Sequence, residues 1–70
     1  METKSEKFRR LAEKRVNVVL KQLNLIGNLS NKNNYEYSTS EVSKIVNIIR
    51  KASNNMETKY EIAKKERFKL

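Results

Sequence analysis

Residues 8–27 decide the fold, and their sequence is FRRLAEKRVNVVLKQLNLIG. Apolar residues recur there at spacings of three and four, at Phe8, Leu11, Ala12, Val16, Val19, Leu23 and Ile26. At about 100° per residue, this spacing gathers them on one face of a helix. Gly27 follows the last of them, and glycine commonly lies just beyond a helix end. The pattern predicts a first helix from about residue 4 to residue 26.

A polar segment follows the first helix. Residues 28–37 read NLSNKNNYEY, a cluster of turn-forming residues that hydrogen-bond to their own backbone. Residues 38–41 read STSE and match a capping box, in which Ser38 and Glu41 each satisfy a backbone donor at a helix start. The sequence therefore predicts a loop over residues 27–38 and a second helix from about residue 39.

The second helix carries a heptad-like pattern. Apolar residues at steps of seven, with two more placed three residues later, are Val42, Ile49, Met56, Ala63, Ile45 and Ala52. The next position of the second series, three residues after Met56, is Lys59, which is not apolar. The apolar residues on either side of residues 53–55 nevertheless lie on the same helix face. One helix to about residue 66 is predicted, and a break at Asn54-Asn55, giving three helices, is the alternative.

Two long helices joined by about ten residues should lie antiparallel with their apolar faces together, forming an all-α hairpin. A chain of 70 residues buries little surface in this way. Several apolar residues also fall outside the two principal faces: Val18, Leu20, Leu25, Ile48 and Ile62. They favour a homodimer that forms a four-helix bundle about a two-fold axis. The alternative is that the loop, with Leu29, Tyr35 and Tyr37, folds back over some of them.

The composition argues against catalysis. The chain has neither cysteine nor histidine, which excludes disulfides and removes the commonest zinc ligands and general bases. The acidic residues are all glutamates scattered among lysines, as on a solvated helix surface. We therefore predict no enzymatic activity, catalytic residue, metal or cofactor. No apolar run approaches the roughly 18 residues that span a bilayer, so we expect a cytoplasmic protein without a membrane partner.

The net charge of +8 is not spread evenly. Basic residues at spacings of three, four and seven lie opposite the apolar face of the first helix, at Lys7, Arg10, Lys14 and Lys21. Lys44, Lys51 and Lys65 form a weaker counterpart on the second helix. Such rows can follow a phosphate backbone, and the residues therefore predict nucleic-acid contacts. The alternatives are an ordinary solvated helix surface and the lysine-rich composition of an AT-rich genome.

Residues in the loop and on the second helix also predict contacts with a partner. Tyr35 and Tyr37 in the loop can stack on bases or fill a pocket of another protein, and Ile48 adds an apolar contact on the second helix. The alternative for the tyrosines is packing over the open end of the hairpin with their hydroxyls in water.

Three segments carry a resemblance to known proteins: FRRLAEKRVN at residues 8–17, LIGNLSN at 25–31 and NYEY at 34–37. Over about half of its length the chain resembles short uncharacterised basic proteins encoded on plasmids, prophages and other mobile elements of low-GC bacteria. The resemblance implies no particular activity. It points to the work that such elements require, namely replication or partition, transcriptional control and inhibition of host defence.

Two functional hypotheses follow from the sequence. The first is a non-enzymatic accessory or regulator that engages nucleic acid, or a ribonucleoprotein complex, through the basic row of the first helix. The second is a protein-binding inhibitor of a host defence effector, similar in kind to inhibitors of CRISPR effectors, or an assembly factor.

Overall fold

The computed structural model describes residues 1–65, and within them the chain forms two helices and no strand. Helix α1 is Lys4–Asn28 and helix α2 is Thr39–Lys65. The all-α, two-helix prediction is confirmed. The chain divides into two compact units, Met1–Glu36 and Tyr37–Leu70, each built around one helix. The expected end of the second helix at residue 66 lies outside the described residues.

Thr3 caps the start of α1. Its backbone is extended (φ −74°, ψ 165°), and its hydroxyl accepts a hydrogen bond from the Glu6 backbone N–H at 3.1 Å. The Glu6 carboxylate in turn accepts from the Thr3 N–H at 3.2 Å. Two backbone donors that a helix start leaves without partners are thus satisfied by a capping box.

The end of α1 corrects the predicted role of Gly27, because the helix runs through this glycine to Asn28. Among residues 1–65, none adopts the positive φ that a glycine helix stop requires. Leu29 stays right-handed (φ −69°, ψ −6°), and its N–H donates to the Ile26 carbonyl at 3.1 Å. Ser30 donates to the Gly27 carbonyl at the same distance. Tight turns of this kind close the helix without left-handed geometry.

The connecting segment bonds to its own backbone as predicted. The Asn31 side-chain oxygen accepts from the Asn33 N–H at 3.0 Å, which is an Asx turn. The capping box at the start of α2 is also confirmed. The Ser38 N–H donates to the Glu41 carboxylate at 2.8 Å, and the Glu41 N–H donates to the Ser38 hydroxyl at 3.1 Å.

Helix α2 is continuous across Asn54 and Asn55, so the alternative of a third helix is wrong. The Thr58 hydroxyl donates to the Asn54 carbonyl at 3.0 Å, one turn earlier in the same helix. The Thr58 hydroxyl thus finds its acceptor within the helix, and the helix is not interrupted. The apolar phase that continues through residues 53–55 therefore reflects one helical element.

Each helix presents an open apolar face. Among residues 1–64 no side chain is fully buried, and those that are half-buried are Leu11, Ala12, Tyr37 and Ile49. Val19 on α1 and Met56 on α2 are each 54% exposed, although both lie on principal apolar faces. Such faces need a covering surface. Antiparallel packing of one helix on the other stays a prediction.

Candidate nucleic-acid interface

The basic residues predicted on the first helix all lie within α1, and all are exposed. We call Lys7, Arg10, Lys14 and Lys21 the α1 basic row. At 100° per residue they fall within an arc of about 60°. At 1.5 Å per residue the row is about 21 Å long, which is the axial rise of roughly six nucleotides of one strand. One continuous helix therefore carries a row of cations that is as long as a short segment of a phosphate backbone.

Arg10 differs from the other members of the row because it is held by an acidic side chain. Its Nε donates to Glu2 Oε2 at 2.9 Å, and its Nη2 donates to Glu2 Oε1 at 3.1 Å. The pair is bidentate but solvated, with side-chain exposures of 57% for Arg10 and 37% for Glu2. The hydrogen bond with Glu2 raises the pKa of the Arg10 guanidinium. An exposed pair of this kind is weak enough for a phosphate to displace the carboxylate.

The charge of α1 is concentrated in its first half. Its first twelve residues, 4–15, contain every charged side chain of the helix except Lys21. Glu6 and Glu13 oppose the basic residues there, and Glu6 is also engaged in the cap with Thr3. The cationic potential is therefore strongest near the helix start, where the field of the helix dipole also favours anions.

Lys44 and Lys51 are exposed and lie seven residues apart on one side of α2. Seven residues rotate about the helix axis by two full turns to within about 20°, so the two ammonium groups lie on the same face. For Lys65 the structure describes the backbone only. This row is shorter than the α1 basic row and presents fewer cations to a phosphate backbone.

The residues predicted to contact a partner differ in their exposure to solvent. Tyr35 is 48% exposed, and its backbone N–H donates to the Asn31 carbonyl at 3.0 Å. Tyr37 is half-buried and belongs to the second unit. Ile48 is 62% exposed on the side of α2 that carries Lys44 and Lys51. Tyr35 and Ile48 are thus accessible to a partner, whereas Tyr37 is less so.

Sequence reasoning missed two features of this surface. The Thr3–Glu6 cap carries the same spacing as the box at Ser38 and Glu41, so its signal was present in the sequence. The Glu2–Arg10 pair has no such signal, because Glu2 precedes the helix and the eight-residue separation lies outside the usual helical pairs.

Two further findings bear on the chemistry of the chain. Within the described part, no group of three His, Cys, Asp or Glu side chains could hold a metal ion. Over the same residues, neither helix is both long and apolar enough to cross a bilayer.

Comparison of the sequence with protein-family models, with curated proteins and with solved structures gives no significant match.

Proposed function

We propose that this chain is a small non-enzymatic binding protein that engages the phosphate backbone of a nucleic acid through the α1 basic row. The observation that carries the proposal is the alignment of Lys7, Arg10, Lys14 and Lys21 on one exposed face of an uninterrupted helix. A nucleic-acid contact of this type is consistent with an accessory or regulator of a mobile element, one of the roles to which the sequence resemblance points.

The physics of the contact is counterion release. Each phosphate that a Lys or Arg neutralises frees a condensed cation, so affinity falls with salt in proportion to the number of contacts. The net charge of +8 also speeds encounter with a polyanion. The principal apolar face of α1 lies opposite the row and remains available for packing while the row is occupied. Backbone contacts of this kind position a protein without reading sequence.

The test is fluorescence anisotropy with labelled single-stranded and duplex DNA and RNA at several salt concentrations. The variant Lys14→Gln, Lys21→Gln should bind more weakly and lower the slope of log K against log salt by about 1.4 to 1.8, from two lost contacts. Its helicity should be unchanged because glutamine is nearly as good a helix former as lysine.

A matched control separates the row from total charge. The variant Arg9→Gln, Arg50→Gln loses the same charge, but both arginines lie away from the two basic rows. We expect this control to retain most of the affinity and slope. Equal losses in both variants would show that only net charge matters, and no binding at low salt would overturn the proposal.

A second candidate function rests on the exposure of Ile48 and Ile62 on the charged side of α2, at 62% and 52%. Isolated surface leucines and isoleucines are common, and these two lie fourteen residues apart, so one partner would contact both only by extending along about 21 Å of α2. The alternative is therefore a protein-binding inhibitor or assembly factor. It predicts a pull-down that survives nuclease and moderate salt and is lost in Ile48→Gln or Tyr35→Ala.

A further inference from the structure

Helix α1 carries two apolar seams instead of one. Its first seam follows a heptad spacing through Ala12, Val16, Val19, Leu23 and Ile26. Its second seam follows another through Leu11, Val18, Leu25 and Leu29, with Arg15 and Gln22 between them. At 100° per residue the two seams are centred about 100° apart. A helix with two seams at this angle has the surface of a helix that contacts two neighbours in a bundle.

From Val18 onward the second seam is open to solvent. Val18, Leu25 and Leu29 are 53%, 49% and 47% exposed. Leu29 lies beyond the last helical residue, but its right-handed backbone continues the direction of the helix. Whichever surface covers the first seam, the second requires a partner of its own because it faces another side of α1.

The distribution of charge indicates which partner fits. From residue 16 to residue 29 the only charged side chain is Lys21. The other half of α1, residues 4–15, carries six basic and two acidic side chains, so two copies in contact there would repel each other. Residues 16–29 are therefore the part of α1 where two copies can approach most closely without opposing rows of cations.

Gln22 makes the second seam self-complementary. An amide both donates and accepts, so it can pair with the same residue of another copy near a two-fold axis. Within residues 18–29, Gln22 is the one polar residue of the second seam, and such a residue also fixes the register between helices. Neither property is required if the seam is covered only by the connecting loop.

We infer that the second seam is the contact between two copies of this chain, with the two α1 helices antiparallel over residues 18–29. The two-fold axis lies near residues 22–25, and the charged first halves project away from each other at opposite ends. Antiparallel pairing separates the cations, whereas a parallel pair would place residues 4–15 of both copies side by side. The inference does not depend on nucleic-acid binding.

Sedimentation equilibrium tests the surface. The wild-type chain should be a dimer, and Val18→Gln, Leu25→Gln should weaken dimerisation at least about tenfold because two apolar contacts are lost. Leu20→Gln is the control, since Leu20 is 52% exposed like Val18 but lies outside both seams. This control should stay dimeric. A monomeric wild-type chain, or equal effects of both variants, would overturn the inference.

Spin labels test the direction of the helices and do not depend on seam variants. The chain lacks cysteine, so Ser5→Cys and Asn24→Cys each give one labelled site per copy. In the antiparallel dimer the Ser5 labels should be about 55 Å apart, from 1.5 Å per residue on each side of the axis. The Asn24 labels should be separated by less than about half of that, close to one helix diameter plus the label arms. Similar short distances at both sites indicate a parallel pair, and no intermolecular distance at either site indicates a monomer; either result overturns the inference.

Discussion

The carboxylate of Glu2 holds the guanidinium of Arg10 by two hydrogen bonds of 2.9 and 3.1 Å. An acidic residue that precedes α1 thereby forms an ion pair with one of the four cations of the α1 basic row. Both side chains remain solvated, so the pair is a competitor for a phosphate instead of a fixed element of structure. The same contact that aligns Arg10 along the helix also lowers its availability.

Replacing Glu2 by glutamine should strengthen nucleic-acid binding. The change removes the charge that holds Arg10, and the gain should be below about fivefold because exposed ion pairs are weak. The salt slope should steepen by up to about 0.9 if Arg10 gains a phosphate contact. Anisotropy titrations at several salt concentrations measure both quantities.

Glu13→Gln is the control for that experiment because it changes the net charge by the same amount and lies in the charged first half of α1. A gain confined to Glu2→Gln identifies Arg10 as a contact. Equal gains in both variants would instead reflect the overall field, and Arg10 would have no special part in binding.

The two helices were predictable because their signals are local. Apolar spacing in residues 8–26 and the capping box at Ser38 and Glu41 depend only on neighbouring residues, and both are present in the structure. The stop at Gly27 failed because a glycine permits left-handed geometry but does not require it, and the chain closes the helix with right-handed turns. The Glu2 contact with Arg10 was not predictable, since it depends on how residues outside the helix fold back along it.

The cap of α2 should be worth about 1 kcal/mol to the helix, and Ser38→Ala should remove that contribution. The hydroxyl that accepts from the Glu41 N–H is lost, which leaves a backbone donor without a protein partner. Circular dichroism at 222 nm should report lower helicity and an earlier thermal transition. Ser43→Ala, within α2, is the control and should leave helicity unchanged or raise it, because alanine is the better helix former. Equal behaviour of the two variants would contradict a structural role for the cap.

Glu41 should titrate below an ordinary glutamate. The Ser38 backbone N–H, and after it the Ser38 hydroxyl, lower the pKa of the Glu41 carboxyl. Its contribution to helix stability is therefore fully present above the unfolded value of about 4.3 and is lost as pH falls through the lower folded value. Carboxyl-carbon NMR shifts measured against pH give the folded pKa directly.

The variant Ser38→Ala checks the cause of that shift. It removes the hydroxyl but keeps the backbone N–H, so the pKa of Glu41 should rise only part of the way toward the ordinary value. A full return would show that the backbone bond contributes nothing, and an unshifted Glu41 in the wild-type chain would contradict the observed capping geometry.

Continuity of α2 makes a prediction about proline. Asn55 lies in the interior of the helix, and Asn55→Pro removes a backbone donor and introduces a clash with the preceding turn. The cost should be about 3 kcal/mol, enough to lower helicity on both sides of the substitution. Asn55→Ala should instead raise helicity because alanine is a better helix former. Amide hydrogen exchange across residues 50–60 measures the effect site by site.

If α2 were two helices separated at this point, the proline would be tolerated and protection on either side would persist. The Thr58 hydroxyl bond to the Asn54 carbonyl supports the opposite outcome, since it ties the turn that contains Asn55 to the turn that follows.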